Sequence, residues 1–295
     1  MPWLTLKPWP PYNFTMHLER FGAGGPVPWI YEDKCLRVLL PVGGVLEPVR
    51  ACFSGEPWEP VIRLWTRGGG AVGVFRDYAR VGFDWSVFLG LLEGYPRVRS
   101  IALEYAGVRP GRCQSLYHAL LDSIVRQRVP LRVASRVLAR LVSRYGARMV
   151  VDGLDYYSYP PAVVISRVPL EELRSLGLSR LKARGLLEVA LAGLEGRLPS
   201  VGEAVRDPQG VIGELTGLYG VGRWTAGLAV AMVHSLFPVW PFGDLTVGRG
   251  LRLALPDMAS VEVKRLVNDL GDYAGLLMYM LSLYYEDSRR RGGRG

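Results

Sequence analysis

Two features of this sequence have residue types and spacing suited to chemistry. A glycine-bracketed turn, Leu218-Tyr219-Gly220-Val221-Gly222-Arg223-Trp224-Thr225-Ala226, lies between two stretches of helical pattern. A lone acid, Asp244, follows in Gly243-Asp244-Leu245-Thr246-Val247. The first feature predicts a helix, a tight hairpin and a second helix. Glycine suits a hairpin whose residues take φ > 0 and whose backbone must come close to another group. The N–H groups of Val221, Gly222 and Arg223 open the second helix, and a helix N-terminus is an anion site, here with the Arg223 charge added. The anion these parts suit is a phosphate, with the Asp244 carboxylate facing the same cleft from one helix and one loop downstream. No Gly-Lys-Ser/Thr follows, so this is not the phosphate loop of nucleotide-binding proteins. Each feature also has a plainer role: a Gly-x-Gly between helices serves as a turn, and Asp244 ahead of Leu245, Val247 and Leu251 holds the place of an N-cap.

The elements that must position these groups fall into two parts. Residues 1–108 are punctuated by Pro and Gly around short apolar runs, Leu36–Leu40, Val61–Trp65 and Ala71–Phe75, which predict strands. Gly68-Gly69-Gly70 fits a hairpin turn between the last two, and Trp85–Leu92 and Val98–Tyr105 predict helices. This is an α+β unit, an antiparallel sheet with helices on it. From 109 to 288 the pattern is helical: Leu116–Val125, a break at Gln127-Arg128-Val129-Pro130, then Val133 to Gly146, Pro169–Leu176, Leu178–Leu194, Gln209–Leu218, Arg223–Leu236, Leu245–Leu255, Val261–Leu270 and Tyr273–Asp287. Residues 289–295, with four arginines and three glycines, form a basic tail expected to be flexible.

At 295 residues and 49% hydrophobic composition the chain can bury a core in each part. No apolar run is long enough to cross a membrane and no leader pattern opens the sequence, so an intracellular, cytoplasmic protein acting as a monomer is expected. The net charge is +9, and only four of the 36 basic residues are lysines (Lys7, Lys34, Lys182, Lys264). Arginine favours bidentate phosphate contacts, which suits a nucleic-acid partner. Asn and Gln are scarce, a composition that fits a thermophile. Cys35, Cys52 and Cys113 are an odd, scattered set without a CxxC, and predict neither a zinc site nor a disulfide framework. His17, His118 and His234 are isolated from one another and predict packed or surface residues rather than metal ligands.

The Gly-Val-Gly-Arg-Trp-Thr-Ala run, with Asp244 twenty positions after Trp224, resembles the helix-hairpin-helix DNA glycosylases, and within them the 3-methyladenine DNA glycosylase II branch. Leu116–Gly146 is similar to the first core helices of that family, Leu173–Arg184 to its middle segment, and Pro10-Pro11-Tyr12-Asn13-Phe14 to the opening of the branch. The likeness is strongest over 114–290 and weak over 20–105. It implies an all-α helix-hairpin-helix core after the α+β part, and a monofunctional enzyme that extrudes an alkylated purine from double-stranded DNA and hydrolyses its N-glycosidic bond in base excision repair. Another damaged base (8-oxoguanine, hypoxanthine or uracil) or DNA binding without catalysis are the alternatives.

By the same resemblance Asp244 is the catalytic carboxylate, stabilising positive charge on the sugar as in glycoside hydrolysis. Gly220, Val221, Gly222, Arg223 and Thr225 contact the DNA backbone, and hairpin carbonyls can hold a monovalent cation; no other cofactor is required. Trp224 and Leu228, one turn apart, line the base pocket, with Tyr12, Phe14, Trp240 and Phe242 as further candidates. Leu228 departs from an aromatic position of the branch, and Leu270-Gly271-Asp272-Tyr273-Ala274 replaces a Trp- and Arg-containing pattern. Gln127 and Arg128 match the loop that wedges into the duplex. The iron–sulfur cluster of some relatives is not expected, since no cysteine follows Cys113.

Overall fold

The computed structural model describes residues 3–22, 27–238 and 243–292. Strands β1 (Leu4–Leu6), β2 (Ile30–Glu32), β3 (Cys35–Val42), β4 (Val45–Ser54) and β5 (Val61–Thr66) form one sheet in the order β1-β5-β4-β3-β2, antiparallel throughout. Helix α1 (Phe14–Phe21) leaves the sheet after β1, with Asn13 as its N-cap. The sheet's inner residues, among them Leu36, Val38, Val49, Ala51, Ile62 and Leu64, are buried in the largest core of the described residues.

Helix α2 (Gly70–Tyr78) occupies the stretch whose Ala71–Phe75 run predicts a strand. Ala71, Phe75 and Tyr78 are its buried residues, spaced four and three apart so that one helical face packs on β3, β4 and β5. The sheet partner decides the conformation against the strand-like Val-Gly-Val. Gly68–Gly70 accordingly joins a strand to a helix and is not a hairpin turn. A second correction concerns the cysteines: Cys35 and Cys52 form a disulfide between directly paired residues of β3 and β4. Strand register, invisible in the spacing, brings them together. Cys113 is free and buried.

Helices α3 (Trp85–Leu91) and α4 (Pro96–Glu104) pack away from the sheet. Their Trp85, Phe88 and Ile101 share the second core with Leu266, Leu277 and Leu281 from the end of the chain. The expected boundary near residue 108 therefore does not separate two cores. Buried Arg109 donates to the carbonyls of Gly107, Arg80 and Pro11, and buried Arg80 to those of Pro110 and Ser235. Part of the arginine surplus is thus internal bracing of backbone carbonyls rather than surface charge.

The helical part runs α5 (Leu116–Arg126), α6 (Leu131–Tyr145), a hairpin of β6 (Arg148–Val151) and β7 (Leu154–Tyr157), then α7 (Ala162–Ile165), α8 (Leu170–Ser175), α9 (Arg180–Leu194), α10 (Val201–Arg206), α11 (Pro208–Leu215), α12 (Arg223–Val233), α13 (Leu245–Ala254), α14 (Ser260–Leu270) and α15 (Ala274–Gly292). The β6–β7 hairpin interrupts the expected all-α pattern and packs back on β3 through Val151, Tyr156 and Leu39. Helix α5 is the axis, buried from Leu116 to Val125 except at His118 and flanked by α6, α9 and α12. Helix α15 continues through Arg289–Arg291, which were expected to be flexible. Arg20 on α1 pairs with Glu286 (3.3 Å) and Asp287, fixing the far half of α15 to α1. No helix of the described residues is long and apolar enough to cross a membrane.

Candidate active site

The hairpin lies between α11 and α12. Gly220 has φ +79°, and a Cβ there would stand 3.0 Å from the Cα of Gly185 on α9. Glycine is therefore required at 220 by backbone and by space. Gly222 differs: it is the N-cap of α12 with φ −88°, and nothing lies within 4 Å of a Cβ built on it. The fold does not demand glycine at 222; a bare residue leaves the start of α12 open to an incoming group. Val221 is buried, and its N–H is used within the turn, donating to Leu218 O at 3.1 Å. The N–H groups of Gly222, Arg223 and Trp224 make no hydrogen bond among the described residues. The open donors at the mouth thus begin one residue later than the sequence suggests. Thr225, expected to contact the DNA backbone, is buried, and its hydroxyl accepts a hydrogen bond from Gln127.

Asp244 caps α13 and faces α12 as well. Its Oδ1 accepts the N–H groups of Thr246 (2.8 Å) and Val247 (3.1 Å), and its Oδ2 accepts the indole Nε1–H of Trp224 (3.1 Å). Three donors from two elements fix one carboxylate. Trp224 is thereby tied to the acid by its edge, a role that its position one turn from Leu228 does not reveal. Both side chains line the same cleft as the hairpin, with Leu228 buried.

The α5–α6 loop lies against the hairpin and also lines the cleft. Gln127 donates through Nε2 to Gly220 O (2.8 Å) and Thr225 Oγ1 (2.9 Å), so it is a strut between loop and hairpin and not free to enter a duplex. Arg128 is exposed and has φ +51°, an uncommon conformation for a residue with a side chain. Of the two wedge candidates, only Arg128 stands clear at the tip.

The cleft has a volume of about 2280 Å³, well above the roughly 300–1,000 Å³ of a pocket for one small molecule. It is a groove with a pocket in it. Arg223, Arg128 and Lys182 line it, as do Arg249, Arg289 and Arg290 of α13 and α15. Tyr12 and Phe14 do not line it. Tyr12 is buried with its hydroxyl on Ala79 O (3.1 Å), and Phe14 is buried against His17, Phe53 and Tyr78; they support the wall from behind. Trp240 and Phe242 lie outside the described residues. The aromatic wall is made instead by Phe21, Trp29, Tyr78, Tyr159 and Tyr279. His17, buried and hydrogen-bonded through Nδ1 to the Tyr279 hydroxyl (2.9 Å), is pushed down to about 3 by burial, reinforced by the charges of Arg126 and Arg80, and is neutral at pH 7.

Sequence reasoning missed the polar part of this wall. Asp122, 1% exposed, pairs with Arg126 and accepts the Tyr159 hydroxyl at 2.9 Å. The signal was present: two opposite charges at i, i+4 within the mostly apolar Leu-Leu-Asp-Ser-Ile-Val-Arg of a largely buried helix. Among the described residues no group of three or more His, Cys, Asp or Glu is placed to hold a metal ion.

No family model matches the chain. It is 29% identical over 140 residues to DNA-3-methyladenine glycosylase 2 of Escherichia coli K12, a match covering 46% of this chain and about half (49%) of that protein. It is 25% identical over 166 residues to DNA-3-methyladenine glycosylase 1 of Schizosaccharomyces pombe, covering 55% of this chain and 68% of that one. Its fold is similar to that of a 3-methyladenine DNA-glycosylase from Archaeoglobus fulgidus, with a TM-score of 0.80, 23% identity, and 96% and 98% of the two chains covered. Over about half of its length the chain is thus similar in sequence to DNA-3-methyladenine glycosylases, and over nearly all of it similar in fold to one of them.

Proposed function

We propose that this chain is a monofunctional DNA N-glycosylase that excises alkylated purines from damaged duplex DNA in base excision repair, acting as a monomer. The observation that carries the reading is Asp244, held by three N–H donors in the same cleft as the open N-terminus of α12. Simple duplex binding has no use for a fixed carboxylate in a cleft lined by arginines.

The free N–H groups of Gly222, Arg223 and Trp224 and the Arg223 charge would hold one backbone phosphate. The carbonyl oxygens of residues 216–221 are hard ligands that fit the monovalent cation implied by the resemblance, which would add positive charge beside that phosphate. Arg128 would fill the gap left when the nucleotide is extruded. The base would enter the aromatic wall, where stacking is tolerant of base identity. As the glycosidic bond lengthens, positive charge grows on the sugar, and the Asp244 carboxylate would stabilise it and orient the attacking water.

The test uses duplexes with a single damaged base, scored for abasic sites with the wild-type chain and with Asp244→Asn. Release of an alkylated purine by the wild type and its loss in the variant are expected. Binding without release by the wild type would overturn the reading in favour of a non-catalytic protein.

A further inference from the structure

The amide of Gln127 brackets the open start of α12. Both of its N–H donors are used, one on Gly220 O (2.8 Å) and one on Thr225 Oγ1 (2.9 Å). Gly220 lies before, and Thr225 directly after, the open N–H groups of Gly222, Arg223 and Trp224. One side chain from the end of α5 thus holds both flanks of the anchor, across 93 and 98 positions of sequence. The peptide between Gly220 and Val221 is fixed at both ends, its carbonyl by Gln127 and its N–H by Leu218 O (3.1 Å). Thr225 is buried, so its hydroxyl has a defined place in the first turn of the helix.

The next residue along is Arg128, exposed at the tip of the loop with φ +51°. A residue with a side chain keeps that backbone conformation only where its surroundings over-determine it. Here they are short and stiff. Gln127 is pinned to the hairpin on one side, and Pro130, the N-cap of α6 with φ −57°, stands on the other. Only Arg128 and Val129 lie between these two fixed points.

Resting on the phosphate anchor and loop tip of the proposed function, we propose that Gln127 is a positioning residue. Its amide presets the donors of α12 and joins them to the Arg128 tip as one rigid unit. A phosphate seated at Gly222–Trp224 and the side chain of Arg128 then stand in fixed register on the duplex. Donors fixed in advance bind an anion without giving up conformational freedom at that moment. Two groups on one rigid unit are coupled in binding, whereas groups on separate segments contribute independently. Packing at 127 would need only bulk; this role needs the two N–H groups.

The test measures dissociation constants for an undamaged duplex and for one with a stable abasic-site analogue. Gln127→Met keeps the length and bulk of the side chain and removes both donors. It is expected to weaken binding of the undamaged duplex about tenfold. Gly222→Val and Arg128→Ala, made singly and together, supply the coupling. With Gln127 in place, their losses on the abasic duplex are expected to depart from additivity by about fivefold or more. In the Gln127→Met background the same losses are expected to add. Thermal unfolding confirms that each variant is folded. Should Gln127→Met not fold, Thr225→Val removes one of the two acceptors at similar volume and takes its place with the same expectation. Additive losses with Gln127 in place, or coupling of equal size in the Gln127→Met background, overturn the proposal. The glycosylase reading then stands or falls separately, on base release by the wild type. Unchanged binding in Gly222→Val removes the anchor and the proposal with it.

Discussion

Asp244→Asn is the obvious probe of the carboxylate, but the geometry shows that it changes more than charge. The asparagine side chain has one oxygen, whereas Asp244 accepts on two: Thr246 and Val247 N–H on Oδ1, and the Trp224 indole N–H on Oδ2. With the amide oxygen on the helix, its NH₂ faces Trp224 Nε1, donor against donor at a site where the acceptor stands at 3.1 Å. Flipping the amide moves the conflict to the start of α13. The half-buried position discounts the cost toward the low end for a lost hydrogen bond to a charged group, about 1 kcal/mol. In a chain of this size that is about 2 °C in Tm. The catalytic loss is separate and larger: removing a group aimed at developing charge costs about 3–4 kcal/mol, or roughly 10²–10³ in rate. Trp224→Phe removes the indole donor, leaves both cap bonds, and should lower kcat about tenfold with KM little changed. In the double variant Asp244→Asn/Trp224→Phe the donor conflict is gone, so Tm should return toward the Trp224→Phe value while base release stays at the Asp244→Asn level. Single-turnover base release and calorimetry on the four proteins of this cycle supply the numbers. Near wild-type release by Asp244→Asn would refute the catalytic assignment. Equal Tm losses from Trp224→Phe in both backgrounds would refute the claim that the indole holds the carboxylate.

Gly222→Val should fold normally, since φ −88° and open space accept a side chain, yet weaken binding to damaged and undamaged duplex alike; a Tm near wild type with a loss confined to damaged duplex would remove the hairpin as the backbone anchor. Binding of either duplex should fall steeply with salt as phosphate contacts release counterions, and a flat salt dependence would count against the whole basic cleft. Borohydride should trap no covalent adduct, because Lys182, the lysine lining the described cleft, is tied to Val125 O at 2.9 Å; trapping that is lost in Lys182→Met would show a lyase instead. His17 is buried neutral with its pKa pushed down to about 3, so the unfolded chain binds the extra proton below its ordinary value of 6.5: the stability it confers is complete above that value and falls with acid, by about 2 kcal/mol between pH 7 and pH 5. Tm measured across that window should drop less in His17→Phe than in the wild type, and parallel curves would refute the assignment.

What the sequence makes legible is what is local in it. The hairpin, its flanking helices and the Asp244 cap are each written in a short run of consecutive residues, and glycine, an N-cap and helical period signal them directly. The strand predicted at Ala71–Phe75 failed because burial of Ala71, Phe75 and Tyr78 against the sheet outweighs a strand-like Val-Gly-Val. The Cys35–Cys52 bond depends on the register of β3 on β4, which spacing does not encode. The pocket is the least local part: His17 meets Tyr279 across 262 positions, and Tyr159 reaches Asp122 from beyond a helix and a hairpin. Tyr12 and Phe14 carry the right chemistry for a pocket wall, but their side chains pack into the core one layer behind it.

For Asp244, N-cap and catalyst look like competing roles in the sequence; in the fold the first would serve the proposed second. A free aspartate on a loop would have to give up rotamer freedom to meet a transition state, whereas here the start of α13 has already fixed it. The division of labour extends to the two oxygens. Oδ1 takes two N–H groups and has no lone pair left to offer. Oδ2 takes one, from Trp224, and keeps one. On the proposed mechanism the oxygen left for a charge developing on a sugar would be Oδ2, and its direction is set by an indole on α12, the helix whose N-terminus would hold the phosphate. Anchor and acid are in this way positioned by one element, so a phosphate seated at Gly222–Trp224 would bring its nucleotide to the carboxylate without any further rearrangement of the protein.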